Sequence, residues 1–288
     1  MAVVSSPTVR RRELGAALRR LRTEAGLTVE QVTEELLCSP SKVSRLETGQ
    51  RGASLRDVRD LCKLYGVSDP AERDRLMALA REGKQQAWWQ TLDWPEPLST
   101  YIGLEVEAVA IRNFESDVVP GLLQTEGYAR ALTRGAVPAL DEQAVEEHVR
   151  TRLRRQEILT RDAPPQFHAV IDEAAFHRLP GGPEGPALML TQLSRTIDLS
   201  GLPHVKVQVL PFTSGPQPGS DSTFVILDFV PSEVSSTVYV ETLAGNLYLE
   251  RDADLHVYRQ VFDRLCELAL TPEETVGFLE RMRLQYAK

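Results

Sequence analysis

The segment spanning residues 27–54, L-T-V-E-Q-V-T-E-E-L-L-C-S-P-S-K-V-S-R-L-E-T-G-Q-R-G-A-S, constrains the fold most strongly. Its apolar residues recur at helical spacing in two short runs, each preceded by a capping residue, the second closed by glycine. Thr28 caps the first run, with Gln31 three residues on as its capping-box partner. Val29, Val32 and Leu36 are its inward positions. Ser39 caps the second run, and Pro40 occupies its first turn, where a missing N–H costs nothing. Val43 and Leu46 point inward, and Gly49 ends the helix. Helices this short need neighbours to bury them, and the flanks supply three. Residues 10–25 carry the stripe Leu14, Ala17, Leu18 and Leu21 and stop at Gly26. Ser54 caps a helix with Leu55, Val58, Leu61 and Leu64 inside. Asp69-Pro70-Ala71-Glu72 opens a fifth, bearing Leu76, Met77, Leu79 and Ala80. The expectation is an all-α domain of about five helices over residues 1–82.

Charge is distributed unevenly. Residues 1–84 hold 16 Lys+Arg against 12 Asp+Glu, whereas the remainder holds 17 against 29. A basic head on an acidic body points to a polyanion met by the head, although the surplus is small. No apolar run reaches the roughly 18 residues of a membrane span. No apolar stretch follows Arg10-Arg11-Arg12, which argues against a secretory signal. Cys38, Cys62 and Cys266 are too dispersed for a disulfide framework, so the expected setting is reducing and cytoplasmic. Cys38, in the turn, reads as a small buried hydrophobe.

Residues 10–66 resemble the Xre-type helix-turn-helix regulators, the group that includes phage repressors. Ser41-Lys42-Val43-Ser44-Arg45-Leu46-Glu47-Thr48-Gly49 carries the resemblance most specifically. It implies that residues 40–48, beginning at Pro40, form a recognition helix that enters the major groove of double-stranded DNA. Ser41, Lys42 and Arg45 are then the candidates for base-edge contacts. Ser44, Thr28, Thr48, Gln50 and Arg51 are candidates for phosphate contacts. A homodimer is expected, because one such helix reads only a few base pairs. The competing reading makes these polar residues the wet face of a small helical domain. Two positions depart from the family pattern: Thr33 replaces a small residue, and Leu37 stands where glycine is common. Left-handed geometry costs a non-glycine residue about 1–2 kcal/mol, so a longer or differently shaped turn is expected.

Residues 83–97 change character. Gly83-Lys84-Gln85-Gln86 leads into Trp88, Trp89 and Trp94, then Pro95 and Pro97. These tryptophans either pin a linker to a domain surface or form a patch for a partner. Beyond it, residues 101–112 read as a helix, and Pro120-Gly121 as a turn. Thr125 caps a helix with Tyr128, Ala131 and Leu132, and residues 142–160 form a charged helix. Alternation predicts strands at 167–171, 205–210, 223–229, 237–242 and 246–249, with helices at 187–199, 253–270 and 272–286. The expected product over residues 98–288 is an α+β domain whose four- or five-stranded, partly antiparallel sheet is covered by helices.

This block resembles the large uncharacterised domain that follows the helix-turn-helix in many actinobacterial Xre regulators. The resemblance rests on residues 101–105, 119–131 (V-P-G-L-L-Q-T-E-G-Y-A-R-A), 170–173, 205–212 and 239–241. It implies a transcriptional regulator, often encoded beside a small partner protein; the two-domain layout adds the expectation that the second domain dimerises and senses that partner or a small-molecule effector. The alternative it carries is an antitoxin-like protein that mainly binds such a partner and uses DNA for autoregulation. No ligand or reaction comes with it.

The search for chemistry gives little. His148, His168, His177, His204 and His256 show no metal-ligand spacing. Residues 181–186 are glycine-rich but lack the lysine of a phosphate loop, and no G-x-S-x-G elbow is present. No catalytic residue, metal or cofactor is expected. Glu105, Glu173 and Glu241 are candidate inward acids for a partner or ligand, with salt-bridged structural acids as the alternative.

Overall fold

The computed structural model describes residues 6–90, 96–136, 140–219, 223–230, 234–242 and 245–287. The chain divides into two compact units, Met1–Glu107 with Phe229–Ser235, and Ala108–Asp228 with Ser236–Lys288.

The first unit contains α1 (Pro7–Glu24), α2 (Val29–Leu36), α3 (Pro40–Glu47), α4 (Leu55–Leu64), α5 (Pro70–Glu82) and α6 (Glu96–Glu107). The caps read from the sequence are in place. Thr28 and Ser54 form capping boxes, and Ser39 and Asp69 accept from first-turn amides. Gly26 and Gly49 close α1 and α3 with positive φ. The core draws on every helix from α1 to α5, with Leu18, Val32, Val43, Val58 and Leu76 among its buried members. Cys38 packs against that core only partly buried.

α1 begins three residues earlier than expected, because Pro7 pre-sets the first turn and the Ser6 amide donates to the Glu107 carboxylate on α6. Thr8 and Gly103 lie so close that a Cβ on Gly103 would sit 2.4 Å from Thr8 Oγ1. Trp88 and Trp89 occupy a 3-10 turn with their rings edge to face, centroids 5.6 Å apart. Trp89 is buried and Trp88 half-buried. Trp94 lies outside the described residues.

The second unit is built on six strands: β1 (Ala110–Glu115), β2 (Gln166–Asp172), β3 (Val205–Leu210), β4 (Phe224–Asp228), β5 (Thr237–Thr242) and β6 (Gly245–Leu249). Their order is β3-β2-β1-β4-β5-β6. β1, β2 and β3 run parallel, whereas β4 pairs antiparallel with β1 and β5, and β6 antiparallel with β5. The helices are α7 (Glu126–Ala136), α8 (Glu142–Gln156), α9 (Ala174–His177), α10 (Gly185–Ser200), α11 (Asp252–Leu268) and α12 (Pro272–Tyr286). α11 covers one sheet face, where Leu255, Phe262 and Leu265 meet Phe114, Val170, Phe224, Ile226 and Val238. α10 and α12 pack together and against β3. The outer edge of β3 is satisfied by Leu270 N–H to the Val209 carbonyl and by Thr275 Oγ1 accepting from Val209 N–H.

Two expectations are corrected. The helix expected over residues 101–112 ends at Glu107, and its last residues belong to β1, the sixth strand of a sheet expected to have four or five. Leu104, Ala108 and Ile111 suit helical spacing, so periodicity alone is ambiguous there. Tertiary pairing decides: both edges of β1 find a ladder, with β2 on one side and β4 on the other. The charged helix also stops at Gln156, and Glu157–Leu159 tightens into a 3-10 turn.

Candidate nucleic-acid interface

The α2–α3 pair is held by its own ends. Thr28 Oγ1 accepts from Gln31 N–H at 3.3 Å while Gln31 Oε1 accepts from Thr28 N–H at 2.8 Å. Ser39 Oγ accepts from Lys42 N–H at 3.2 Å. Leu37, Cys38 and Ser39 alone separate the helices, so the turn is not lengthened. Leu37 adopts the left-handed conformation itself, at φ 48° and ψ 49°, the only non-glycine residue with positive φ among those described. Its side chain is 93% exposed, so burial does not offset the strain. Thr33 fits because its hydroxyl donates to the Glu30 carbonyl at 2.7 Å.

α3 buries Val43 and Leu46 and exposes Ser41, Ser44 and Arg45. Arg45 Nε donates to the Ser41 carbonyl at 3.2 Å, its one hydrogen bond from the side chain among the described residues. Pro40, Thr48, Gln50 and Arg51 are exposed at the two ends of the helix, and Thr28 is exposed at the start of α2. Thr48 Oγ1 donates back to the Ser44 carbonyl at 3.0 Å. Lys42 differs from the others. Its ammonium lies 2.6 Å from Asp57 Oδ1, and Asp57 also accepts from the N–H of Ser54, the α4 cap, at 3.0 Å as the capping-box partner. Burial opposes ionisation of Asp57, but the bonds from Lys42 and Ser54 prevail and hold its pKa below the ordinary carboxylate value. Lys42 thus braces α3 against the start of α4.

The seat of α3 on α1 is the part that residue-by-residue reading missed. Arg22 on α1 grips Glu47 with Nε to Oε1 at 2.6 Å and Nη2 to Oε2 at 3.0 Å, and its Nη1 donates to the Leu27 carbonyl at 2.8 Å. Both side chains are nearly buried, 14% and 8% exposed. Such a bidentate pair fixes orientation as well as distance. A Cβ on Gly15 would stand 2.6 Å from the carbonyls of Leu46 and Glu47, and one on Gly49 would stand 2.7 Å from Arg12 Cα. Glycine at both places lets α1 touch the backbone at the end of α3. The Glu-x-Gly at the end of α3 was the available signal.

An eight-residue helix is about 12 Å long, and the DNA major groove is about 12 Å wide. The exposed face of α3 offers hydroxyls and one guanidinium, groups suited to base edges, and is flanked by hydroxyl, amide and guanidinium groups suited to phosphates.

The three candidate acids do not converge. Glu105 is buried in α6 of the first unit and accepts from Tyr101 OH at 2.8 Å. Glu173 stands between β2 and α9, accepting from Phe212 N–H at 2.8 Å, with His177 Nε2 at 3.4 Å. Glu241 is exposed at the end of β5, where it acts electrostatically on Glu115 of β1. Glu115 carries no signal in the sequence, since the first half of its strand reads as the end of a helix. Burial, reinforced by Asp117 and Glu241, raises its pKa to about 7 against a hydrogen bond from Asn113 and the charge of Arg152. Arg152, on α8, donates to Gln124 Oε1 at 2.7 Å, and burial pulls its pKa down to about 10. Among the described residues no cluster of three His, Cys, Asp or Glu could hold a metal ion, and no helix is long and apolar enough to cross a membrane.

Residues 13–76 match the family described as a helix-turn-helix domain, in agreement with the α2–α3 geometry. Comparison with curated proteins and with solved structures gives no match. The longer match spans residues 98–281, and through it the chain belongs to the family described as a domain of unknown function, DUF5753.

Proposed function

We propose that the chain is a sequence-specific DNA-binding transcriptional regulator of the actinobacterial Xre kind. In this reading α3 enters the major groove, with Ser41 and Arg45 at base edges. Thr28, Ser44, Thr48, Gln50 and Arg51 reach phosphates, and Lys42 sets the tilt of the helix through Asp57. The second unit dimerises the protein and senses a ligand or partner. One observation carries the reading: a short helix with an exposed Ser41–Ser44–Arg45 face is locked from behind by the Arg22–Glu47 pair and by Gly15. A rigid element is what base recognition requires, since a misplaced helix loses its bidentate contacts.

Selection of binding sites from random duplex DNA by the full chain tests it. The expected product is a two-fold site whose half-sites lie about 10 base pairs apart, centre to centre, or a multiple of that. Recovery of unrelated sequences after repeated selection would overturn it.

A further inference from the structure

The amino ends of the three parallel strands line a groove of about 350 Å³, formed by residues 110–112, 166–168 and 203–206. The register sets Arg112 opposite His168, and His168 opposite Lys206. Three basic residue types therefore stand in one row on one sheet face, about 5 Å apart from strand to strand. Like charges across neighbouring strands are destabilising, and this fold only partly compensates them. Arg112 pairs with Asp228, but Asp228 is shared with Arg259 at 2.7 Å and Ser236 at 2.8 Å. Lys206 is exposed and has no hydrogen-bond or ion-pair partner among the described residues. His168, its ring edge to face with Phe262 and its Nε2 near Cys266 Sγ, is kept neutral at pH 7, chiefly by burial and further by the charges of Lys206 and Arg112, against a hydrogen bond with Gln208 and the charge of Asp263.

We propose that this groove binds a small phosphorylated molecule, its phosphoryl group held by Arg112 and Lys206 and lying beside His168. The proposal rests on the reading of the second unit as a sensor and names the chemistry sensed. A phosphoryl group carries close to two negative charges at pH 7, enough to offset both permanent cations, whereas a carboxylate offsets one. The phosphoryl oxygens can accept from the Arg112 guanidinium and the Lys206 ammonium, which come from β1 and β3, while His168 on β2 between them gives its Nε2–H to Gln208 Oε1 at 2.8 Å. The volume is at the small end for ligand sites, which suits a phosphate on a sugar-sized body.

The test is a titration of the full chain with D-ribose 5-phosphate and with inorganic phosphate, read from the imidazole resonances. His168→Asn assigns the reporting signal, and ribose is the control. The expected result is a saturable shift of the His168 signal with both phosphates, with a Kd of about 1 mM or tighter for the sugar phosphate. Ribose should cause none. Lys206→Gln should weaken binding about tenfold, while Lys206→Arg retains it. Lys206 is exposed, so neither variant threatens the fold. Absence of a shift up to about 10 mM, or equal affinity in Lys206→Gln, overturns the proposal. No DNA is present in the titration, so its outcome is separate from operator binding. If Lys206→Glu weakens DNA binding in the absence of any phosphate compound, the row serves DNA and the proposal is likewise overturned.

Discussion

Replacing Glu115 by Gln should stabilise the second unit at alkaline pH and leave it nearly unchanged at acid pH. Glu115 ends the central strand β1, and burial lifts its pKa from 4.5 to about 7. The folded state therefore holds this proton more tightly than the unfolded state does. Between about pH 4.5 and pH 7 the unfolded carboxyl has lost its proton while the folded one keeps it, so stability falls as pH rises through that window. Above the folded pKa the whole displacement counts against folding, on the order of 3 kcal/mol. Solvent access to the carboxylate reduces the expected gain to about 1–3 kcal/mol. Glutamine keeps the shape and the acceptor for Asn113 Nδ2, which lies 3.2 Å from Glu115 Oε1. The assay is amide hydrogen exchange in β1 and β2, because all three tryptophans lie at positions 88–94 and report on the first unit. The ratio of variant to wild-type protection should be near one at about pH 5 and should rise about five- to a hundredfold at about pH 8. An unchanged ratio, or a variant less protected at the higher pH, would refute the reasoning and make Arg152 the dominant influence on Glu115.

Three further outcomes concern the first unit. Glu47→Gln leaves Arg22 nearly buried without its counter-charge and should cost about 3 kcal/mol, read as a lower urea midpoint by tryptophan fluorescence. Gly15→Ala pushes a methyl group into the end of α3 and should cost about 1–3 kcal/mol; DNA affinity should fall even at temperatures where circular dichroism shows the variant folded. Leu37→Gly removes left-handed strain but adds freedom to the unfolded chain, for a net stabilisation of about 0.5–1 kcal/mol, whereas Leu37→Ala should change little. A destabilised Leu37→Gly would mean that the exposed side chain contributes contacts worth more than the strain.

The helix-turn-helix was legible because its signals are local. Thr28, Ser39, Ser54 and Asp69 act within three residues of themselves, and Gly26 and Gly49 mark stops by backbone conformation alone. Strand β1 was not legible, because the choice between helix and strand at Ile111 depends on partners that lie 56 residues later in β2 (Phe167) and 116 residues later in β4 (Leu227). The same holds for single residues. Lys42 resembled a free recognition side chain until Asp57, fifteen residues on, engaged it. Glu115 owes its perturbed acidity to burial first and then to Asp117 and Glu241, and of these only Asp117 is near in sequence. Glu105 and Glu173 carried the family resemblance yet serve hydrogen bonds to Tyr101 and to the Phe212 amide.

The most direct test of the central claim is fluorescence anisotropy on the DNA upstream of the gene, across a salt series. Wild type is compared with the Ser41→Ala/Arg45→Ala variant, in which two exposed residues of α3 change and the Arg22–Glu47 seat remains. The account predicts tight, sequence-dependent binding by wild type. The variant should lose about 2–5 kcal/mol of discrimination for its site and retain weak, salt-sensitive binding to any duplex. Equal binding of wild type and variant, with affinity collapsing alike as salt rises, would mean phosphate contact alone and would contradict a reading role for α3.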